Sequence, residues 1–308
     1  MVTRGRGARR AAGVAAGLLG DRMLGEPPRA LHPVAAFGTV MAFVETAVYD
    51  DARAAGAAYA IAGTALGAGA GVVARHPTAG VTVSVAGRAL RHTALTVHDA
   101  LTRDDLPAAR GLLPALVGRD PSELDARGVA AAVVESVAEN SVDAVVAPAC
   151  WALVAGAPGA LGYRAVNTMD AMVGHRSPRY ARFGTWSARA DDVANFVPAR
   201  CTALLVAAAR PSRSIDVWRA VRRDAPAHPS PNAGVAESAF AAALGIELGG
   251  PLRYGNRVED RPLLGRGPRP QPSDIVRAVK LANDVELLLL GALTTVAAVA
   301  ATRARRAR

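Results

Sequence analysis

Residues 133–146 read VVESVAENSVDAVV. On a helix, Ser136, Glu139, Asn140 and Asp143 fall at i, i+3, i+4 and i+7 and share one face, with Glu135 at its edge. Valine and alanine fill most of the remainder, and no Lys or Arg is interleaved to pair with the three acids. A carboxylate beside lipid or core is costly unless it holds a cation or takes part in chemistry. Hard oxygen donors at this spacing suit Mg²⁺, which keeps several waters and shares a substrate phosphate. A solvent-facing amphipathic helix would show the same stripe.

Two further segments repeat the pattern. In YRAVNTMDAMV (163–173), Asn167 and Asp170 are i, i+3, with Tyr163 one turn earlier. In TWSARADDVAN (185–195), Thr185, Arg189, Asp192 and Asn195 share a face, with Asp191 adjacent. Between them lies GHRSPRYARFG, where Arg176, Arg179 and Arg182 are three cations with no acid among them. Arginine forks bind phosphate bidentately, so an arginine loop between carboxylate-bearing helices fits a phosphorylated substrate with Mg²⁺. A loop on the cytoplasmic side of a membrane would also be basic. Further on, HPSPNAGVAESA (228–239) reads as a helix start, with Ser230 as N-cap and Pro231 at the first position. Backbone N–H groups at such a start attract anions, although an ordinary capped helix has the same appearance. Asp21, Glu26 and His32 punctuate the first apolar runs, and His32 reads as structural.

The elements that must position these residues are apolar. Hydrophobic residues make up 51% and charged residues 20%, with mean hydropathy +0.19. That is too apolar for a disordered chain and somewhat too apolar for a typical soluble enzyme. Residues 54–74 carry no charge, and at 1.5 Å per residue they span about 30 Å, the thickness of a hydrocarbon core. Residues 287–302, 30–44, 11–20 and 196–209 are further apolar runs, the last broken only by Arg200. Residues 144–163 are uncharged but interrupted by Pro148, Gly156, Pro158 and Gly159, so a broken or re-entrant helix fits as well as a plain span. Three to five spans are expected.

The net charge of +10 is concentrated at the ends. Arg4, Arg6, Arg9 and Arg10 open the chain, and Arg303, Arg305, Arg306 and Arg308 close it. The tails 1–10 and 303–308 read as solvated arms beside a membrane surface. No basic stripe interleaved with aromatics exists, which argues against nucleic-acid binding. The N-terminal run resembles a secretory signal, but Gly20-Asp21-Arg22 is a poor cleavage site, so the segment is kept. Cys150 and Cys201 are too few for a disulfide scaffold or a thiolate cage. No P-loop, no G-x-S-x-G and no H-E-x-x-H occurs, and Lys280 is the only lysine. Carboxylates, Asn, Arg and a metal are left to carry the chemistry.

In order along the chain, GLLGDRMLGEPPRALHPV (17–34), the long stretch 117–205 and HPSPNAGVAESAFAAALGIELGGP (228–251) resemble the adenosylcobinamide-phosphate synthase family, CobD/CbiB, of cobalamin biosynthesis. The likeness weakens around 253–262 and leaves out the tails and 54–116. It implies an inner-membrane enzyme, with its active site on the cytoplasmic side, that joins a propionate of adenosylcobyric acid to (R)-1-aminopropan-2-yl phosphate or a related amino alcohol, using ATP and Mg²⁺. The family's motif residues carry over to Glu135, Glu139, Asn140 and Asp143, to Asn167, Asp170, Arg189, Asp191 and Asp192, and to His228, Ser230 and Asn232. The chain departs from the pattern at Val142, where a hydroxyl residue is expected, and has Arg164 where Lys is expected.

The expected metal ligands are Glu139, Asp143, Asp170, Asp191 and Asp192. Phosphoryl contacts fall to Arg176, Arg179, Arg182 and Arg189, and Glu135 is the expected proton acceptor. A membrane prenyltransferase, which binds Mg²⁺ and a diphosphate through Asn/Asp-rich helices, is the alternative. A corrinoid or cobalt transporter subunit is the non-enzymatic one. The expected fold is all-α: a single multi-pass helical bundle over 1–308, with extramembrane helical loops and room for a homo-oligomer. Ser273 reads as a helix cap, VTVSV (81–85) as a helix start, 75–143 as an amphipathic helical excursion, and 250–272 as irregular.

Overall fold

A computed structural model describes residues 2–118, 120–175, 177–254 and 257–306. The fold is all-α, with one short hairpin among the described residues. The chain divides into two compact units, Met1–Ala86 with Asp143–Asn195 and Leu290–Arg308, and Gly87–Val142 with Phe196–Leu289.

The first unit contains α1 (Val2–Leu24), α2 (Pro33–Val48), α3 (Arg53–Ala74), α4 (Pro77–Ser84), α8 (Ala147–Ala155) and α9 (Ala157–Met169). Its most extensive packing is α3 against α9. Small residues make this approach feasible: Gly56, Gly63, Gly67 and Gly71 are buried on one face of α3. A Cβ at Gly67 would lie 2.5 Å from the Ala165 Cβ and 2.7 Å from the Leu161 carbonyl oxygen, and one at Gly71 would lie 2.4 Å from Pro158. This is the close contact that small residues at four-residue spacing permit between membrane helices. Met41, Tyr59, Met169, Val173 and Phe183 form a core cluster beside it, with the Tyr59 and Phe183 rings 5.2 Å apart.

The uncharged stretch 144–163 is a broken helix. Gly156 adopts φ +71°, ends α8 and starts α9. Arg10 donates to the carbonyls of Leu153 and Val154 at the end of α8, where a cation satisfies otherwise orphaned acceptors. Arg10 is therefore docked, not part of a solvated arm, and residues 2–10 extend α1. His32 caps α2 by accepting the Val34 N–H, in keeping with a structural role. Val81–Ser84 close α4 instead of opening a helix, because Pro77 and the His76 cap set the start earlier.

The second unit contains α5 (Gly87–Thr102), α6 (Leu106–Leu112), α7 (Ala126–Ser141), α11 (Ser214–Asp224) and α12 (Ala233–Leu244). Two strands, β1 (Glu247–Tyr254) and β2 (Arg257–Gly265), pair antiparallel where an irregular linker was expected. Gly249 and Gly250, which suggest a loop by composition, take φ +79° and +91° at a register shift between Leu248 and Gly250. Glycine is the residue that tolerates this conformation. The hairpin is pinned from below: Glu135 accepts the Gly249 N–H at 2.9 Å and Asp224 accepts the Gly265 N–H at 2.9 Å.

Three helices among the described residues are long and apolar enough to cross a membrane: α3, α10 (Thr185–Ala209) and α13 (Pro272–Arg303 of Pro272–Arg306). Ile61, Val72 and Val73 on α3 are exposed large apolar residues, as a lipid-facing surface requires. The run 30–44 falls in the shorter α2, and 11–20 falls in α1, where Ala11, Val14 and Leu18 are buried. The N-terminus of α13 is closed by Asp274, which accepts the Gln271 N–H at 2.8 Å, not by Ser273.

Gly67→Leu should force α3 from α9 and lower the midpoint of thermal unfolding in detergent, an overpacking cost of about 3 kcal/mol or more. Gly69→Ala, where a Cβ meets nothing within 4 Å, should not lower it. Equal midpoints for Gly67→Leu and the parent would contradict the packing.

Candidate functional site

In the first unit, Tyr163 and Asn167 are one helical turn apart on α9, and Asp191 and Asn195 one turn apart on α10. Asp143 arrives from a π-helical turn, Val142–Val146, that follows α7. A π turn inserts a residue into the helical repeat and swings the side chains after it onto a new face. Asp143 is thereby gathered with α9 and α10 residues.

The side chains form a near-closed ring of hydrogen bonds. Asn167 Nδ2 donates to Asp143 Oδ2 at 3.1 Å and to Asp191 Oδ1 at 3.2 Å. Asn195 Nδ2 donates to Asp191 Oδ2 at 3.0 Å, and Tyr163 donates to Asn195 Oδ1 at 2.9 Å. The Tyr163 hydroxyl also lies 3.4 Å from Asp143 Oδ1. Arg164 Nη1 donates to Asn167 Oδ1 at 3.2 Å, which fixes which way the amide points. Its Nε is buried and has no hydrogen-bond partner, a donor left for an anion.

Asp170 sits in a second π turn, Asp170–Gly174, and its carboxylate occupies the space a Cβ at Gly174 would need. Asp192 is half-buried next to Asp191. Arg189 is exposed, with its guanidinium 5.6 Å from the Trp186 ring centre.

The loop between α9 and α10 is tied down by its own arginines. Arg179 pairs with Glu45 at 3.1 Å and lies over the Tyr49 ring at 4.0 Å. Tyr180 donates to the same carboxylate at 2.8 Å, and its pKa is raised by burial and by that bond. The Arg179 pKa is raised by its hydrogen bonds with Tyr180 and Glu45. Arg182 lies 3.9 Å from Asp51, both exposed. Arg176 lies outside the described residues.

The rest of the 133–146 stripe belongs to the second unit. Ser136 donates to the Leu116 carbonyl, and Asn140 donates back to Ser136 within the helix. Glu139 is exposed, and Glu135 is buried and committed to the hairpin. A second polar cluster lies in this unit. The buried His228 places Nε2 at 3.2 Å from Arg261 Nη1 and 3.8 Å from Glu237. Its Nδ1 accepts the Ser230 N–H at 3.1 Å. Ser230 Oγ accepts the N–H groups of Asn232 and Ala233, so it caps the turn as expected, although α12 itself begins at Ala233. Arg200 donates to the Asn232 side chain at 3.2 Å. Sequence reasoning missed Arg261, because its strand was assigned to a loop, and Arg200, which read as an interruption of an apolar run.

Among the described residues no group of three or more His, Cys, Asp or Glu side chains is placed to hold a metal ion. The five carboxylates expected as ligands are therefore not gathered into one cage. The Asp143–Asp191 pair nonetheless supplies two hard carboxylates, the donor type a divalent cation takes, with water and phosphate left to complete the shell.

Residues 14–282 match the family model described as CobD/Cbib protein. Proteins named "Cobalamin biosynthesis protein CobD" are similar over most of their length. The chain is 47% identical over 290 residues to that of Mycobacterium tuberculosis (strain H37Rv), covering 90% of this chain and 92% of the relative. It is 44% identical over 283 residues to that of Chromobacterium violaceum, covering 86% and 90%, and 40% identical over 290 residues to that of Geobacter metallireducens, covering 88% and 91%. No solved structure matches.

Replacing Asn167 by Asp would set a third acceptor against two carboxylates. The variant should be less stable by about 2 kcal/mol or more in metal-free buffer. Thermal unfolding checks this, and an unchanged midpoint would show that the amide does not hold the pair together.

Proposed function

The chain belongs to the CobD/CbiB family and serves cobalamin biosynthesis, and from that premise we propose that it is an adenosylcobinamide-phosphate synthase of the inner membrane. It would join adenosylcobyric acid to (R)-1-aminopropan-2-yl phosphate, or to a related amino alcohol, with ATP as co-substrate. The active site would face the cytoplasm. The observation that carries the assignment of the site is the Asp143–Asn167–Asp191 junction, where two carboxylates meet on one amide between apolar helices.

A carboxylate does not condense with an amine unaided, because oxide is a very poor leaving group. In the proposed reaction the corrinoid carboxylate oxygen attacks the γ-phosphorus of ATP and ADP leaves. The amine nitrogen then attacks the acyl carbon, the amide C–N bond forms as the acyl C–O bond breaks, and inorganic phosphate departs carrying the proton lost from nitrogen. Bound Mg²⁺ would supply positive charge against the phosphoryl oxygens. Asp143 and Asp191 are the residues to hold it, with Asn167 fixing their spacing and Tyr163 and Asn195 fixing Asn167's neighbours. Arg164, with an unused Nε donor, and the exposed Arg189 would meet phosphoryl charge.

Arg179 and Arg182 would contribute by ordering the loop through Glu45 and Asp51. His228, Ser230 and Asn232 are proposed contacts to an anionic substrate group. Glu135 is assigned the anchoring of Gly249 instead of proton removal, since its carboxylate is buried and hydrogen-bonded.

Purified protein given adenosylcobyric acid, ATP, Mg²⁺ and either aminopropanol or its phosphate should form the amide with stoichiometric nucleotide cleavage. Asp143→Asn should lower the rate about 100-fold or more while the fold is kept. Product mass and nucleotide analysis read the outcome. Corrinoid binding without nucleotide turnover would support the transporter reading, and undiminished synthesis by Asp143→Asn would remove that residue from the site.

A further inference from the structure

The second unit holds a cavity of about 260 Å³ whose lining includes Arg213, Arg219, Arg223 and Arg266 together with Asp216 and Gly265. We propose that this cavity binds a phosphate group. The charge balance is the first ground. Asp216 lies 3.6 Å from Arg213 and 3.9 Å from Arg219, and Asp224 takes the fork of Arg223 at 2.5 and 2.7 Å. Four arginines and one acidic residue, Asp216, thus line the hollow. Arg223 contributes its field while its donors stay on Asp224; Arg213, Arg219 and Arg266 keep donors to offer. Several arginines converging on a concave surface match the geometry and charge of a phosphate better than those of a neutral ligand.

Position is the second ground. α11 begins within five residues of the end of α10, one of the three helices able to cross a membrane. Cations directly after an apolar span sit at headgroup depth. Beside the arginines, α11 exposes Ile215 and Trp218, the latter at 38% exposure, while Val217 and Ala220 are buried. Trp favours the membrane interface, where one end of its ring system is apolar and the other wet. A phosphodiester of an anionic lipid headgroup and a soluble phosphate compound present the same chemistry to this pocket. The inference stands apart from the amide-forming reaction, so either can fail without the other.

Arginine modification by phenylglyoxal, read by peptide mass spectrometry, tests it on the full chain in nanodiscs. The arms are phosphatidylcholine alone, phosphatidylcholine with inorganic phosphate or with metal-free ATP, and discs containing phosphatidylglycerol. Modification of Arg213, Arg219 and Arg266 should slow about threefold or more in at least one phosphate-bearing arm, while the exposed Arg103, which follows α5 and no membrane-length helix, should keep its rate. Protection by phosphatidylglycerol alone assigns a headgroup, and protection by ATP or phosphate alone assigns a soluble ligand. Arg213→Gln/Arg219→Gln should abolish the protection of Arg266. Equal modification in every arm would overturn the proposal.

Discussion

One amide holds two carboxylates. Asn167 uses both protons of its Nδ2 on Asp143 and Asp191, and its own oxygen is held by Arg164. Two carboxylates within hydrogen-bond reach of one nitrogen repel each other when both are ionised. Such a pair persists among apolar helices only if donors surround it and a cation is near. Tyr163, Asn195 and Arg164 meet that condition from α9 and α10. The ring of contacts also leaves each amide with one orientation that satisfies its neighbours.

The scaffold follows from this demand. α9 must carry Tyr163 and Asn167 on one face while packing closely on its other side, and the glycine face of α3 allows that approach. Gly156 breaks the preceding helix so that α9 can start in a new direction. The π turn at Val142–Val146 does the same for Asp143 within an otherwise continuous helical run. Val142, where a hydroxyl residue was expected, is buried inside that turn.

Much of this was legible in the residues. Side chains three and four apart on apolar segments marked Asn167 and Asn195, with Asp191 noted only as a neighbour of that face, and uncharged runs marked α3 and the apolar part of α13. The single stripe from Ser136 to Asp143 was not legible as it stands, because an i, i+3, i+4, i+7 reading assumes unbroken helical rotation, which the π turn ends. Partners distant in sequence were equally hidden: nothing local ties Arg179 to Glu45 or Glu135 to Gly249. The hairpin escaped because its glycines and prolines signal a loop, whereas here two glycines build a bulge inside a strand.

Divalent-cation binding tests the central claim most directly, and Mn²⁺ makes it visible by electron paramagnetic resonance. Titration of the purified protein should show bound Mn²⁺ that Mg²⁺ displaces, and the bound signal should vanish in the Asp143→Asn/Asp191→Asn double variant while its helical circular dichroism is retained. Mn²⁺ that remains in its free aqueous form with the parent protein, or that binds the double variant equally well, would contradict the account.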